Sequence, residues 1–404
     1  MTTLEVVTDL AEFAGLEDGW DKLWRRAHGS VFQSHPWIDA WLRHDPDAKA
    51  WRLHVAVARR DGQVAAILPL AIRRYHGVRI LEFAAQRFSD YCDGIGPPDL
   101  LQELWLDVVR RGGFDVVRLK NVPLDAVTRP ALASSGMSFL TDADDEVSLR
   151  LASVWPDGEA WLRTLNKKKK SNNARGWRML AESGEVTVEC FRQAIPAEVV
   201  RHLAELKSQW LRETEAEWSA LLAGGPGLLI AFTESLARVD RLHAFVIRCG
   251  GEIVAGAVNA VHGKRVWAFF SAYDPRFQRA SPGILLMTEY TRRAFDEGFE
   301  EIDYLRGNET YKFEFATTHA QSRRYTGSAT LRGRLALSAI QLQTALRERR
   351  AGTGAMAGEL GTVGSAYATK NGASRIAPAA PPPKAATVPG DAAPVVPSLS
   401  DQER

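Results

Sequence analysis

The residues Ser281-Pro282-Gly283 stand between a short apolar run, Val266–Phe270, and an amphipathic stretch that opens at Ile284. Strand, small-residue turn and helix start together make a site for an anion. The first amides of a helix have no intrahelical partner, and the helix dipole favours negative charge there. Pro282 suits the first helical position, and Gly283 lets a ligand come close to the backbone. Arg276 and Arg279, just upstream, add full positive charges. By themselves these residues indicate a phosphate or carboxylate near Ser281–Ile284, and an ordinary serine-capped turn has the same spelling.

The elements that must position this turn are legible around it. Ile284, Leu285, Met287, Tyr290 and Phe295 recur at helical spacing, and Gly298 supplies the stop. Residues 302–305 then read as a strand, followed by a loop from Arg306 to Thr310 that closes on Tyr311 and Lys312. In order, Ala272-Tyr273-Asp274, Ser281-Pro282-Gly283, Asp303, Gly307 and Tyr311-Lys312 form a pattern that resembles the C-terminal half of the bacterial CelD/BcsL-like acyltransferases. These are relatives of the FemAB proteins and are built on the GNAT fold. Where the standard GNAT pyrophosphate loop reads Gln/Arg-x-x-Gly-x-Gly/Ala, this chain has Arg279-Ala280-Ser281-Pro282-Gly283.

The resemblance implies two tandem GNAT-like α/β domains with mixed central sheets. A self-comparison agrees with it: a shift of 189 positions (242 − 53) lays Leu53-His54 on Leu242-His243 and Arg59–Ala66 on Arg248–Ala255. Both copies read as a β-hairpin, turning at Asp61-Gly62 and at Gly250-Gly251. The expected organisation is an N-terminal GNAT-like domain over 1–156, a basic linking helix over 157–185, a C-terminal acyltransferase domain over 186–330, a helix over 331–350, and an Ala/Pro/Gly-rich tail over 351–404. That tail cannot bury enough apolar surface to offset its ordering entropy, so disorder is expected there.

Composition limits the alternatives. A net charge of +2 over 404 residues argues against general nucleic-acid binding. Cys92, Cys190 and Cys249 are odd in number and widely spaced, so they provide neither a disulfide framework nor a zinc pattern. No His-x-x-x-His pair points to a metal enzyme, and no nucleophile elbow points to a serine hydrolase. The first twenty residues are acidic and carry no apolar core, and no membrane span is spelled out, so the cytoplasm is the expected compartment. The run Lys167–Lys170 reads as a solvated helix face, as a site for CoA phosphates or another acidic ligand, or as a tRNA contact.

For such a family the implied activity is direct transfer of an acyl group, most simply acetyl, from acyl-CoA to an amine or hydroxyl. The implied acceptor is a sugar, an exopolysaccharide precursor or another cell-envelope intermediate. A non-catalytic scaffold of a polysaccharide-export system and a FemAB-type transferase using aminoacyl-tRNA are the other two readings. Asp303 is the first candidate for the base and Glu314 the second, with Lys312 and Tyr311 as donors to the developing oxyanion. Arg276, Arg279, Ser281, Gly283 and Ile284 are the expected CoA contacts. Gln33, Asp90, Tyr91 and Arg306 are the expected acceptor contacts, with Asp90-Tyr91 matching the family's "SDY" segment. An Asp303–Arg306 ion pair across the loop and a solvated Lys312 are the purely structural alternatives.

Overall fold

Six strands succeed one another through the first half with short turns between most of them. They are β1 (Thr2–Val7), β2 (Trp51–Leu53), β3 (Val55–Arg60), β4 (Gln63–Leu68), β5 (Leu70–Tyr75) and β6 (Val78–Phe83). Pro69, which cannot donate to a ladder, separates β4 from β5, and the two strands join different sheets. The strands β1, β3 and β4 make a three-stranded antiparallel sheet. In the computed structural model β5 and β6 open a six-stranded sheet of order β2-β5-β6-β7-β16-β8, with β7 (Val116–Pro123), β8 (Phe139–Ala143) and β16 (Ser322–Ser328). The structure describes residues 1–143, 147–213, 225–307, 309–340 and 342. The expected terminal helix is helical from Leu331 through Ile340, and most of its remainder lies outside the described residues, as does the tail from Ala351.

The second half forms a seven-stranded sheet of order β10-β11-β12-β13-β14-β9-β15. Its members are β9 (Ser148–Ala152), β10 (Val186–Phe191), β11 (Leu242–Cys249), β12 (Glu252–His262), β13 (Arg265–Tyr273), β14 (Glu301–Arg306) and β15 (Thr318–Ala320). Each large sheet has one parallel neighbour pair, β6–β7 and β13–β14, and is otherwise antiparallel. A helix makes each parallel crossover, Pro98–Arg111 in the first half and Pro282–Asp296 in the second. Two strands cross between halves. β9, from the first half of the chain, pairs with β14, and β16, from its far end, pairs with β7.

The sequence duplication is visible in the backbone. Asp61 and Gly62 take φ values of 53° and 79°, and Gly250 and Gly251 take 58° and 84°. Positive φ at both central positions is the turn whose twist suits a two-residue hairpin. The same shift of 189 relates the β-bulges, at Ala58/Arg59 and at Ile247/Arg248. It also relates two arginine contacts, since Arg59 and Arg248 each donate to the carbonyl of the turn glycine three residues on.

Tryptophans fill the seam between halves. The helix Glu17–Arg26 buries Trp20, Leu23 and Trp24, and His35–His44 buries Trp37, Ile38 and Trp41. Trp37 stacks on Phe232 of the helix Pro226–Arg238 at 4.0 Å, and Phe32 stacks on Trp267 of β13 at 5.3 Å. Aromatic burial of this size dominates the packing of the seam. The basic segment is split into the helices Gly158–Thr164 and Lys167–Ser183, the second capped by the Asn166 side chain, which accepts from the Lys169 amide. Gly176 lets that helix lie on the Ala280 carbonyl, a place with no room for a β-carbon.

His54 and His243, equivalent in the duplication, are both buried, and neither ring nitrogen of either finds a protein partner. Burial, reinforced by neighbouring arginines, pulls the His54 ring down to about 4 and the His243 ring to about 3. A depressed histidine supports the fold above the ordinary value near 6.5 and loses that support as pH falls toward the folded value. Thermal stability is therefore expected to fall between pH 6.5 and 4. A His54→Leu/His243→Leu variant should show a flatter decline when melting temperature is scanned against pH. An unchanged slope would assign the acid sensitivity to other groups.

Candidate functional site

β13 and β14 pair only at Arg265↔Glu301, Val266↔Ile302 and Trp267↔Asp303, and then the two parallel strands part. The cause lies in β14. Leu305 sits at φ 56°, in the left-handed region that costs a β-substituted residue roughly 1–2 kcal/mol. The Asp303 carboxylate holds that kink, because its Oδ1 accepts from the Leu305 amide at 2.8 Å. The register of β14 against β9 shifts at the same place, between Asp303 and Arg306.

Asp303 Oδ2 faces the first half. It accepts from the Tyr91 hydroxyl at 2.6 Å and lies 3.0 Å from Arg150 Nε, on β9. Arg150 Nη2 also donates to the Tyr91 oxygen at 3.2 Å. Glu301 continues the row, 3.8 Å from Arg150 and 2.9 Å from Arg265. Asp303 is fully buried; its desolvation raises the carboxyl above the usual range, and the Arg150 charge works against that. Burial and the Asp303 charge keep the Tyr91 phenol protonated.

A second cross-half knot lies close by. Arg306 Nε donates to Asp90 Oδ1 at 3.3 Å, and Nη1 donates to Asn121 Oδ1 at 2.5 Å. The ion-pair partner of Asp303 is thus Arg150, while Arg306 reaches Asp90. Lys312 is buried, donating to the Arg306 carbonyl at 2.8 Å and lying 2.9 Å from the Glu309 carboxylate. Gly307, at φ 134°, threads between them, where a β-carbon would collide with both side chains. Lys312 and a partly exposed Tyr311 stand on a short helix, Thr310–Phe315.

The other expected residues fall in three places. Ser281, at φ 54°, joins the turn Pro275–Ala280 to the helix Pro282–Asp296, and its carbonyl accepts from the Ile284 and Leu285 amides. A β-carbon on Gly283 would meet only the Tyr273 ring, at 3.4 Å, so that helix start is open. Arg276 is folded onto Asp274 and Glu252, whereas Arg279 is exposed. Glu314 lies against the basic helix, its carbonyl accepting from Lys169 at 2.5 Å. Gln33 spends its amide inside the first half, donating to the Gly94 carbonyl and accepting from the Ser30 amide. Arg150, Asn121 and Trp267 join the site without any signal in the family pattern. The one hint of Arg150 is a lone arginine between Leu149 and Leu151 in a strand-like run.

Removing one partner of a buried ion pair leaves the other charge uncompensated, at about 3–5 kcal/mol. Arg150→Met should show a loss of that size in urea unfolding. Adding Asp303→Asn, which keeps the planar shape of the side chain and removes the charge, should recover part of it. A single variant within about 0.5 kcal/mol of wild type would mean that the pair carries no net weight.

Residues 167–313 match the family described as the acetyltransferase (GNAT) domain. No curated protein sequence matches the chain. Among solved structures, FemX is similar at 10% identity over 80% of this chain and 96% of its own, with a TM-score of 0.53. The C-terminal domain of a putative lysylphosphatidylglycerol synthetase from Agrobacterium fabrum gives 15% identity, 83% and 96% coverage, and 0.51. A protein of unknown function from Bacteroides thetaiotaomicron gives 13% identity, 81% and 100% coverage, and 0.50. At these identities the likeness is one of fold. The parted parallel strands and the helix start beyond them lie within the segment that matches the acetyltransferase (GNAT) domain.

Proposed function

We propose that the chain transfers an acyl group, most simply acetyl, from acyl-CoA to an amine or hydroxyl on a sugar, exopolysaccharide precursor or other cell-envelope intermediate. The observation that carries this reading is the parting of β13 and β14 beyond Trp267↔Asp303, with an open helix start at Gly283. Acyl-CoA would supply the activated thioester. The helix start, with Ser281, Gly283 and Ile284, and the exposed Arg279 suit its phosphates. The basic helix, seated on Ala280, brings further positive charge to the same side. In the first half the corresponding gap is bridged. The Lys120 amide donates to Gln86 Oε1, the Cys92 amide to the Asn121 carbonyl, and Asn121 Nδ2 to the Ser89 carbonyl. The second half is therefore the one that takes the thioester.

In this reading Asp303 is the base, and Tyr91 is its contact with the acceptor. As the acceptor's nitrogen or oxygen bonds to the thioester carbonyl carbon, its proton passes to the tyrosine oxygen and the phenolic proton passes to Asp303 Oδ2. The carbon–sulfur bond then breaks, CoA leaves as the thiolate, and the proton on Asp303 returns through Tyr91 to solvent. The phenol and the Asp303 carboxyl are both neutral once the proton has moved, and Glu301 then remains as the counter-charge of Arg150. Lys312, fixed by the Arg306 carbonyl and Glu309, and Tyr311 beside it provide donors for the oxyanion. Arg306 and Asp90 orient the acceptor end of the gap.

Asp303→Asn should lower turnover by roughly 10²–10⁴ with acyl-CoA affinity little changed. The acid limb of its kcat/KM profile, set in wild type by a carboxyl above its ordinary value, should disappear. Gly283→Val should weaken thioester binding first, and Lys312→Ala should lower turnover more than binding. Thermal-shift titrations with CoA, acetyl-CoA, longer acyl-CoAs and charged tRNA test the reading as a whole. A response to charged tRNA alone would replace it with aminoacyl transfer, and no response to any would favour a scaffold. If Asp303→Asn turns over at the normal rate, Asp303 is structural and Glu314 inherits the role.

A further inference from the structure

Beyond β16 the chain enters a helix over 331–340 that is rooted at its start and bare on one side. The Thr330 hydroxyl donates to Asp115 Oδ1 at 3.0 Å and accepts from the Gly333 amide at 3.1 Å. Gly333 itself lies so close on the Asp115 carbonyl that no β-carbon would fit. Leu331, Leu335 and Leu342 are nevertheless 67%, 65% and 61% exposed. We propose that this leucine face, with the arginines on its flanks, docks the protein on the surface of an anionic phospholipid membrane. Such docking is independent of the acyl-transfer reading above.

The helical period places the three leucines within about 40° of one another around the axis. Arg332 stands about 100° to one side of Leu331 and Arg334 about 60° to the other, and both arginines are exposed. In the sequence the leucine spacing continues to Leu346, and residues 331–350 hold five arginines against one glutamate. An apolar stripe between basic flanks suits a helix lying in a membrane interface, where leucines enter the acyl boundary and arginines meet the phosphates. The first half adds to the same patch. A β-carbon on Gly77 would stand 2.8 Å from the Arg332 guanidinium, so that arginine reaches the turn between β5 and β6. This turn presents Tyr75, 54% exposed, beside an exposed Arg74. Tyrosine, with an apolar ring and a polar tip, belongs at the level of lipid headgroups.

Charge decides what covers the leucines. A contiguous series of exposed apolar side chains calls for a partner surface. Gly333 stands about 180° from the middle of the stripe, so the face seated on Asp115 and the bare face are opposite. A second copy laid against the bare face would bring Arg332 and Arg334 against their own likeness. Residues 331–342 hold no acidic side chain to answer them. An anionic bilayer offers the apolar layer and the negative charge together, along the whole length of a helix. Ile340, also exposed, falls on the opposite side from Leu331 and takes no part.

The test is flotation of the full chain with vesicles of phosphatidylcholine alone and of phosphatidylcholine with about 30 mol% phosphatidylglycerol. Wild type should float with the anionic vesicles, far less with the neutral ones, and be released by high salt. Leu331→Ser/Leu335→Ser should lower the partition coefficient by at least about tenfold. Arg332→Gln/Arg334→Gln should lower it by roughly tenfold on anionic vesicles and leave the weak neutral binding unchanged. Ile340→Ser should behave as wild type, which separates this face from general stickiness. All five positions are exposed, so melting curves should not move, and the acetyl-CoA thermal shift should be the same in every variant. Failure of wild type to float would overturn the assignment, as would an equal loss in Ile340→Ser and in the leucine pair. A dimer in sedimentation equilibrium that the leucine pair dissolves, without vesicle binding, would give the face to a second copy instead.

Discussion

One buried carboxylate organises the centre of this molecule. Asp303 answers a backbone amide in its own strand, a phenol from the first half and a guanidinium from a strand that has crossed over. An unpaired carboxylate at such depth would be prohibitively costly, so the three partners have to be present together. They converge where β14 leaves β13, and two of them tie β14 to residues from the first half of the chain. The gap between β13 and β14 and the seam that joins the two halves therefore meet at a single group.

Duplication explains how the two halves can be so alike and still differ in use. Hairpin turns, bulges and an unpartnered histidine recur at one constant spacing. Each half also places two parallel strands side by side and then lets them separate. The halves diverge in the segment that leaves the first strand of each parallel pair. In the first half the stretch from Gln86 to Cys92 folds back across the opening and bonds to β7. In the second, a left-handed Ser281 turns the chain directly into a long helix and leaves its start uncovered. The closing segment also carries Asp90 and Tyr91, so the half that gave up its own opening contributes groups to that of its partner.

Local features of the fold are readable because they are written locally. Ser281-Pro282-Gly283 spells the helix start, Asp61-Gly62 and Gly250-Gly251 spell the hairpins, and helical spacing marks the stretch from Ile284. The grouping of Asp90, Tyr91, Asp303 and Lys312 comes from the family pattern, and Arg306 from its place in the loop after Asp303. The hidden part depends on pairings across great chain distance. Tyr91 and Asp303 are 212 residues apart, and Arg306 and Asn121 are 185 apart. No periodicity within one segment reveals such a partner, so sequence alone favours an ion pair of Asp303 with its near neighbour Arg306. Arg150 is invisible for a related reason, since nothing in residues 148–152 says that this strand belongs to the other sheet.

The exchange of β9 and β16 bears on how the chain is made. On the ribosome, β7 emerges early, yet the strand beside it is encoded some two hundred residues later, so the first sheet has an unpaired inner edge through most of translation. Such long-range closure is slow and exposes a strand edge to wrong partners. A nascent chain of this design cannot finish its first half before its second. The first sheet can close only once β16 has been made, after every strand of the second is already present.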